Sequence, residues 1–329
     1  MLGISGGLRI DYIITLEGTA RLREMGGNAI YAAVGARLWV DEVNIISRAG
    51  ENFPKPWLQT LADARLTAGG IRVLPGAHEH RTFYAYIDAN TRNDTHPEKH
   101  FARIGQQMPE DLIGYVHSSR GQACVDDHDP LAVMPGDIVT PLQAYHLAPM
   151  ALNSHLLGPA AARKAGAGVV SVDPGERYMT PRLAQHVERV LAQCDVFLPS
   201  EMEVASFFET PLGDLQQTLA HMRWFAQRGP RIVVFKLGSA GSLLYERDAD
   251  RTYRLPALPV RVVDVTGAGD SYCGGFVGHF SKHANPVEAA IAGTVSASFA
   301  IQDYGAMHVL NASPADRDRR AALLRSQVS

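Results

Sequence analysis

The sequence predicts a three-layer α/β fold, an αβα core on a mostly parallel sheet, with a small β lid added to it. Three observations carry this. Short apolar runs alternate with longer helical patterns along most of the 329 residues, and no repeat of fixed period interrupts them. The first 74 residues read as βαβαβ. Residues 81–88 (RTFYAYID) then break the pattern with an aromatic alternation suited to a half-exposed antiparallel strand.

Residues 2–4 and 8–14 (LGI, LRIDYII) read as a strand continuing into a second extended piece. Residues 27–39 are Ala-rich with apolar spacing of three and four, a helix. A strand follows at 43–47, a helix at 55–68 and a strand at 71–74. Residues 89–140 are polar and rich in His, Asp, Pro and Gly, which places them in a lid or insertion. Further strands are expected at 144–149, 168–172, 195–198, 231–236, 242–245 and 260–263, the last ending at Asp264. Between them, 213–228 puts Leu215, Leu219, Met222 and Phe225 on one helical stripe. Helices at 267–282 and 286–303 close the core. The resulting division assigns 1–10, 26–80 and 141–329 to the core, and 11–25 and 81–140 to the lid with its insertion.

Composition narrows the function. The chain is 46% apolar and 20% charged, ordinary globular values, with a net charge of -3 and no dense basic run. That argues against nucleic acid as a partner and for a small molecule. Cys124, Cys194 and Cys273 are odd in number and far apart, so neither a disulfide framework nor a structural zinc site is expected. The N-terminus lacks the basic start and apolar run of a secretory signal, and no stretch is long enough to span a bilayer; the cytoplasm is the expected compartment.

The chemistry concentrates at residues 264–276. Asp264-Val265-Thr266-Gly267-Ala268-Gly269-Asp270 is a glycine turn opening an Ala/Gly-rich helix. The amides of a helical first turn lack intrahelical partners and, with the helix dipole, attract an anion. Asp270 would stand beside that anion. A carboxylate there is repelled by a phosphate, unless a hydroxyl lies between the two. Asp270 then takes the hydroxyl proton while the Gly267, Ala268 and Gly269 amides hold charge on the transferring phosphoryl group. A free Asp, with a pKa of about 3.9, is a weak base toward an alcohol, but phosphoryl transfer asks mainly for positioning and charge stabilisation. A helix cap alone is the plainer reading of Asp270.

From Asp264 to Phe276, including the small-small-apolar tail Gly274-Gly275-Phe276, the sequence closely resembles the second signature of the ribokinase/PfkB carbohydrate kinase family. The resemblance extends along most of the chain and is weakest over 89–140. It implies an ATP- and Mg2+-dependent kinase acting on a hydroxyl of a sugar or sugar-like molecule. By the same resemblance Asp11, Gly26, Gly27 and Asn28 bind the substrate, with Tyr31 standing where many members carry Asn. Lys236, Gly238, Gly241 and Ser200 lie at ATP. Glu203 acts indirectly on Mg2+, and Ser200 replaces the family's Asn. Asp264, Thr266 and Gly305 would hold a monovalent cation such as K+. Asp173-Pro174-Gly175-x-Arg177 loosely matches a further turn. The aromatic strand at 81–88 matches the lid, which in relatives often forms a homodimer interface.

A nucleoside kinase of the same family is the alternative within this class, and a catalytically inactive ligand-binding relative the alternative outside it. Other signals point elsewhere. His78-x-His80 and Asp126-Asp127-His128-Asp129 read as surface polar segments rather than metal sites. Neither a P-loop nor a Gly-x-Gly-x-x-Gly after the first strand is present. Cys273, at the helix start, reads as a packed small residue, although a thiol placed there can be acidified.

Overall fold

The structure, a computed structural model, describes residues 1–87, 92–117, 129–139 and 141–329. Cys124, Asp126, Asp127 and His128 lie outside the described residues. In chain order the elements are β1 (Leu2–Ser5), β2 (Arg9–Ile14), β3 (Ala20–Gly26), α1 (Asn28–Arg37), β4 (Val43–Gly50), α2 (Lys55–Asp63), β5 (Leu66–Leu74), β6 (Arg81–Tyr86), β7 (Arg92–Asn93), α3 (Pro97–Arg103), β8 (Ala144–Leu147), α4 (Leu152–Lys164), β9 (Val169–Val172), α5 (Ala184–Leu191), β10 (Val196–Phe197), α6 (Glu201–Phe208), α7 (Leu215–Ala226), β11 (Ile232–Lys236), β12 (Ser242–Glu246), β13 (Arg251–Leu255), α8 (Ala268–His283), α9 (Pro286–Ala300) and α10 (Pro314–Arg325), joined by loops and short 3-10 turns. No helix of the described residues is long and apolar enough to cross a membrane.

The large sheet runs β13-β12-β11-β10-β9-β8-β1-β4-β5, parallel from β11 to β5 and antiparallel at β11–β12–β13. Its middle strands are buried on both faces, which is why β1 and β8 read as continuous apolar runs rather than alternating ones. The small sheet has the order β3-β2-β6-β7.

Helix α8 lies between α1 and α9, so close that side chains are excluded. A Cβ on Gly274 would overlap the Ala32 carbonyl, and one on Gly275 would collide with Ser296 and lie 2.7 Å from the Ala292 oxygen. The Gly-Gly pair after Asp270 is therefore a packing device. It lets α8 sit deep in the core with its first turn fixed at the edge of the sheet.

Several expectations are corrected. Residues 260–263 form no strand; the sheet edge they would join is occupied by β13, and Val263 N–H bonds Ile301 O at 2.7 Å. β13 itself was hidden by its charged, exposed side chains. The 55–68 helix ends at Asp63, because Arg65 adopts φ 58 and turns the chain into β5. β6 pairs parallel with β2 and antiparallel only with the two-residue β7, because a core excursion through β4 and β5 separates β2 from β6. The end of the expected lid insertion packs on the core instead. Val133 joins a core cluster, and buried Asp137 pairs with Arg48 of β4 at 2.7 Å and Arg72 of β5 at 3.4 Å.

Candidate active site

The chain leaves β1 toward the small sheet on one side and returns through β8 on the other, which makes the carboxyl ends of β1 and β8 the switch point where sheets of this kind place their crevice. The turn after β1 is held by Asn28, the first residue of α1. Its amide oxygen accepts Gly7 N–H at 2.7 Å and its nitrogen donates to Pro149 O at 2.5 Å. Asn28, expected to touch substrate, thus uses its amide to tie three segments together. Gly27 before it has φ 104, and a Cβ there would collide with Gly7 O. Gly26 lies flat on Asp11, whose carboxylate fills the space a Cβ would take. Asp11 is buried (2% exposed). Burial pushes its carboxyl up to about 7, against the pull of Thr82 and Arg9.

On the opposite wall, Gly267 caps α8 in the left-handed conformation at φ 72, with its Cα over the Tyr31 ring, which a Cβ would penetrate. Tyr31 is therefore the floor of the glycine turn. The turn corrects one expectation. Ala268 N–H folds back onto Val265 O at 3.2 Å, so it is not a free donor. Among the described residues the Gly267 and Gly269 N–H groups have no backbone acceptor, which leaves them to an anion. Asp270 follows in the first turn and is partly exposed. Burial in the crevice, aided by Asp173, pushes its carboxyl up to about 6, with Lys236 and Arg92 pulling the other way.

Lys236, at the end of β11, extends toward this turn; a Cβ on Gly269 would lie 3.7 Å from its Nζ. The ammonium donates to Asp173 Oδ2 at 2.5 Å, and Cys273 Sγ donates to the same oxygen at 3.2 Å. Burial alone would lower the lysine, but Asp173, Cys273 and Glu203 together outweigh it and hold the ammonium above its ordinary value. Asp173 Oδ1 is buried without a partner among the described residues. Cys273 is fully buried, and burial followed by the Asp173 charge pushes its thiol well up, so no acidified thiol exists there. Ser200 and Glu203 form a reciprocal capping box on α6: Ser200 Oγ accepts Glu203 N–H at 3.3 Å, and Glu203 Oε2 accepts Ser200 N–H at 2.6 Å. Burial, then Asp173, pushes Glu203 up to about 8. Gly238 and Gly241 shape the β11–β12 turn with φ 54 and 90.

Sequence reasoning missed the lid side chains. Tyr86 on β6 reaches the glycine turn: its hydroxyl donates to Asp264 Oδ1 at 2.9 Å and lies 2.6 Å from Thr266 Oγ1. The Asp264 and Thr266 pair expected to hold a monovalent cation is thus bridged by a tyrosine, and Gly305, at φ 72, sits in an adjoining turn near Glu24. Arg92 pairs across the strands with Tyr86 and stacks over the Tyr84 ring at 4.0 Å. The alternation of RTFYAYID announced an aromatic lid, but nothing local in it says which ring faces the core. The isolated Arg92 carried no signal at all.

Among the described residues no group of three or more His, Cys, Asp or Glu converges to hold a metal ion. His80 is structural: it accepts Gly50 N–H at 2.9 Å and faces Leu8 O at 3.0 Å.

A family model described as pfkB family carbohydrate kinase matches residues 159–312, the stretch that includes Glu203, Lys236 and the whole Asp264–Phe276 turn and helix. The cytidine kinase of Thermococcus kodakarensis is 24% identical over 296 residues, 88% of this chain and 91% of that protein. The nucleoside kinase of Methanothermobacter thermautotrophicus is 29% identical over 311 residues, 91% and 89% of the two chains. The structure of the Salmonella enterica aminoimidazole riboside kinase, complexed with aminoimidazole riboside and an ATP analog, superposes with a TM-score of 0.70 at 20% identity, covering 97% of this chain and 99% of that one. With the signature turn and these likenesses together, the chain is similar to pfkB family carbohydrate kinases, most directly over residues 159–312.

Proposed function

We propose that this ATP-dependent kinase phosphorylates a hydroxyl on the sugar ring of a small acceptor, with Asp270 as the base. The observation that carries the reading is the first turn of α8. There a partly exposed carboxyl, pushed up to about 6, stands beside the free Gly267 and Gly269 amides and within the field of Lys236 and Arg92. The acceptor hydroxyl lies between Asp270 and the γ-phosphorus. Its proton passes to the Asp270 carboxylate, its oxygen bonds the phosphorus, and the bond from phosphorus to the ADP oxygen breaks. The two amides and the flanking cations hold the charge of the transferring group, and most of the rate enhancement comes from this positioning. Asp11 and the Gly26-Gly27 turn form the acceptor wall. ATP extends along the carboxyl ends of β10 and β11 toward Gly238 and Gly241.

Mg2+ bound with ATP would supply charge neutralisation at the phosphates. The residues present suit an outer role: the unpartnered Asp173 Oδ1 and the Glu203 carboxyl would hold the ion's waters. Burial and Asp173 push Glu203 up to about 8, and a cation bound nearby would favour its ionised form.

Within this class a nucleoside is the favoured acceptor. The two relatives described above are a cytidine kinase and a nucleoside kinase, and the half-buried Tyr84 under Arg92 offers an aromatic face for a base. ADP formation should be measured with ATP, Mg2+ and a panel of cytidine, inosine, D-ribose and D-fructose. Acceptor-dependent turnover is expected, strongest with a nucleoside. ADP formation that no acceptor in the panel accelerates speaks against a sugar-hydroxyl kinase.

A further inference from the structure

The hydroxyl of Tyr86 is the one polar side-chain contact the structure gives between a strand of the small sheet and the loop that forms the glycine turn, among the described residues. Its proton inventory is unambiguous. A phenol has one proton, and it goes to Asp264 Oδ1 at 2.9 Å. The Thr266 hydroxyl therefore donates to the Tyr86 oxygen at 2.6 Å. The same Asp264 oxygen accepts Thr266 N–H at 2.9 Å. Tyr86, Asp264 and Thr266 are 7%, 5% and 6% exposed, so water does not compete for these bonds. Burial, reinforced by the Asp264 charge, raises the Tyr86 phenol, which stays a donor across the working pH range.

Both the side chain and the main chain of Thr266 are thereby fixed one residue before Gly267, whose free N–H begins the anion site. On its other side Gly267 is pressed onto the Tyr31 ring. Among the described residues no other side chain from outside the loop hydrogen-bonds residues 264–269, so the direction of the Gly267 and Gly269 amides depends on Tyr86 being seated. A seat on β6 also means that the anion site is complete only with the small sheet docked over the crevice.

We propose that Tyr86 is a positioning residue: its hydroxyl couples seating of the small sheet to alignment of the Gly267 and Gly269 amides. This rests on the kinase reading of the same site. It acts through the loop and need not touch the substrate.

The test compares Tyr86→Phe with Tyr12→Phe. Tyr12 lies on the neighbouring β2, and its hydroxyl bonds Asp111 at 3.0 Å, away from the turn. Steady-state kinetics with ATP and the best acceptor among cytidine, inosine, D-ribose and D-fructose, together with amide hydrogen exchange over 264–270, are the readouts. Tyr86→Phe should lower kcat about tenfold or more, leave the KM for ATP within about twofold, and speed exchange at 265–269. Tyr12→Phe should change neither. If Tyr86→Phe folds poorly, the near-isosteric Thr266→Val reads the same contact. Unchanged exchange overturns the proposal whether or not kcat falls, since a fall alone would mean that Tyr86 touches substrate. If the wild-type protein turns over no acceptor, the kinase reading fails, and the exchange comparison still decides the role of Tyr86.

Discussion

Lowering the pH should titrate the base. Burial and the Asp173 charge lift Asp270 from 3.8 to about 6, which places its protonation within the range where enzymes are ordinarily assayed. Only the ionised carboxylate can accept the hydroxyl proton. From a midpoint of about 6, the active fraction falls from about nine-tenths at pH 7 to about one-tenth at pH 5, roughly a tenfold loss in kcat/KM. Asp11, pushed up to about 7 by burial, adds a second limb if its ionised form is needed to grip the acceptor. The profile should then steepen below pH 6. Asp11→Asn should raise KM and leave a single limb near 6, and Arg92→Gln should move that limb upward, because Arg92 favours the charged form of Asp270. The assay is kcat/KM for the acceptor at saturating ATP and Mg2+ from pH 5 to 8.5, with thermal midpoints recorded at each pH. An activity flat from pH 7 to 5 in folded protein, or a limb near 4, would refute the burial argument.

Gly267→Ala forces a left-handed backbone on a residue with a side chain and drives that side chain into Tyr31; turnover should fall at least tenfold while circular dichroism keeps the native spectrum. Gly274→Ala places a methyl on the Ala32 carbonyl in the α1–α8 contact, and urea unfolding should reveal a loss of about 1–3 kcal/mol; an unchanged midpoint would contradict that packing. Glu203 carries a carboxyl raised by burial to about 8, so the folded state holds its proton more tightly than the unfolded chain does. Its contribution to stability is full below the ordinary carboxyl range and is lost as pH rises toward 8. Glu203→Gln keeps an acceptor for Ser200 N–H and has no such loss, so its melting temperature should gain on the wild type as pH rises from 5 to 8.5.

The parts of the fold that announced themselves were those whose physics is local. The Ala-rich run around Tyr31 and the Gly-rich start of α8 carry helical spacing within themselves, and the runs at β1, β4, β8 and β11 are apolar because both faces are covered. What stayed hidden depends on distant partners. Residues 260–263 have every local feature of a strand and lack only a free edge to join. Ser200 and Glu203 also bond each other in a capping box at a helix start, a pairing their resemblance to ligand contacts did not announce. Asn28 has the right chemistry for a substrate contact, yet Gly7 and Pro149 take its amide. In the site, the Asp270 turn was legible because seven consecutive residues carry it. Tyr86, 178 residues before Asp264, becomes part of it only when the small sheet is in place.

The most direct measurement is the turnover of Asp270→Asn against its affinity for ATP. The amide keeps the shape and the hydrogen-bonding first turn but cannot take a proton from an alcohol. A fall in kcat by a factor on the order of 10² or more, with ATP affinity by calorimetry nearly unchanged, is the expected result. Turnover within a few-fold of the wild type would mean that the carboxylate at 270 is only a cap on its helix.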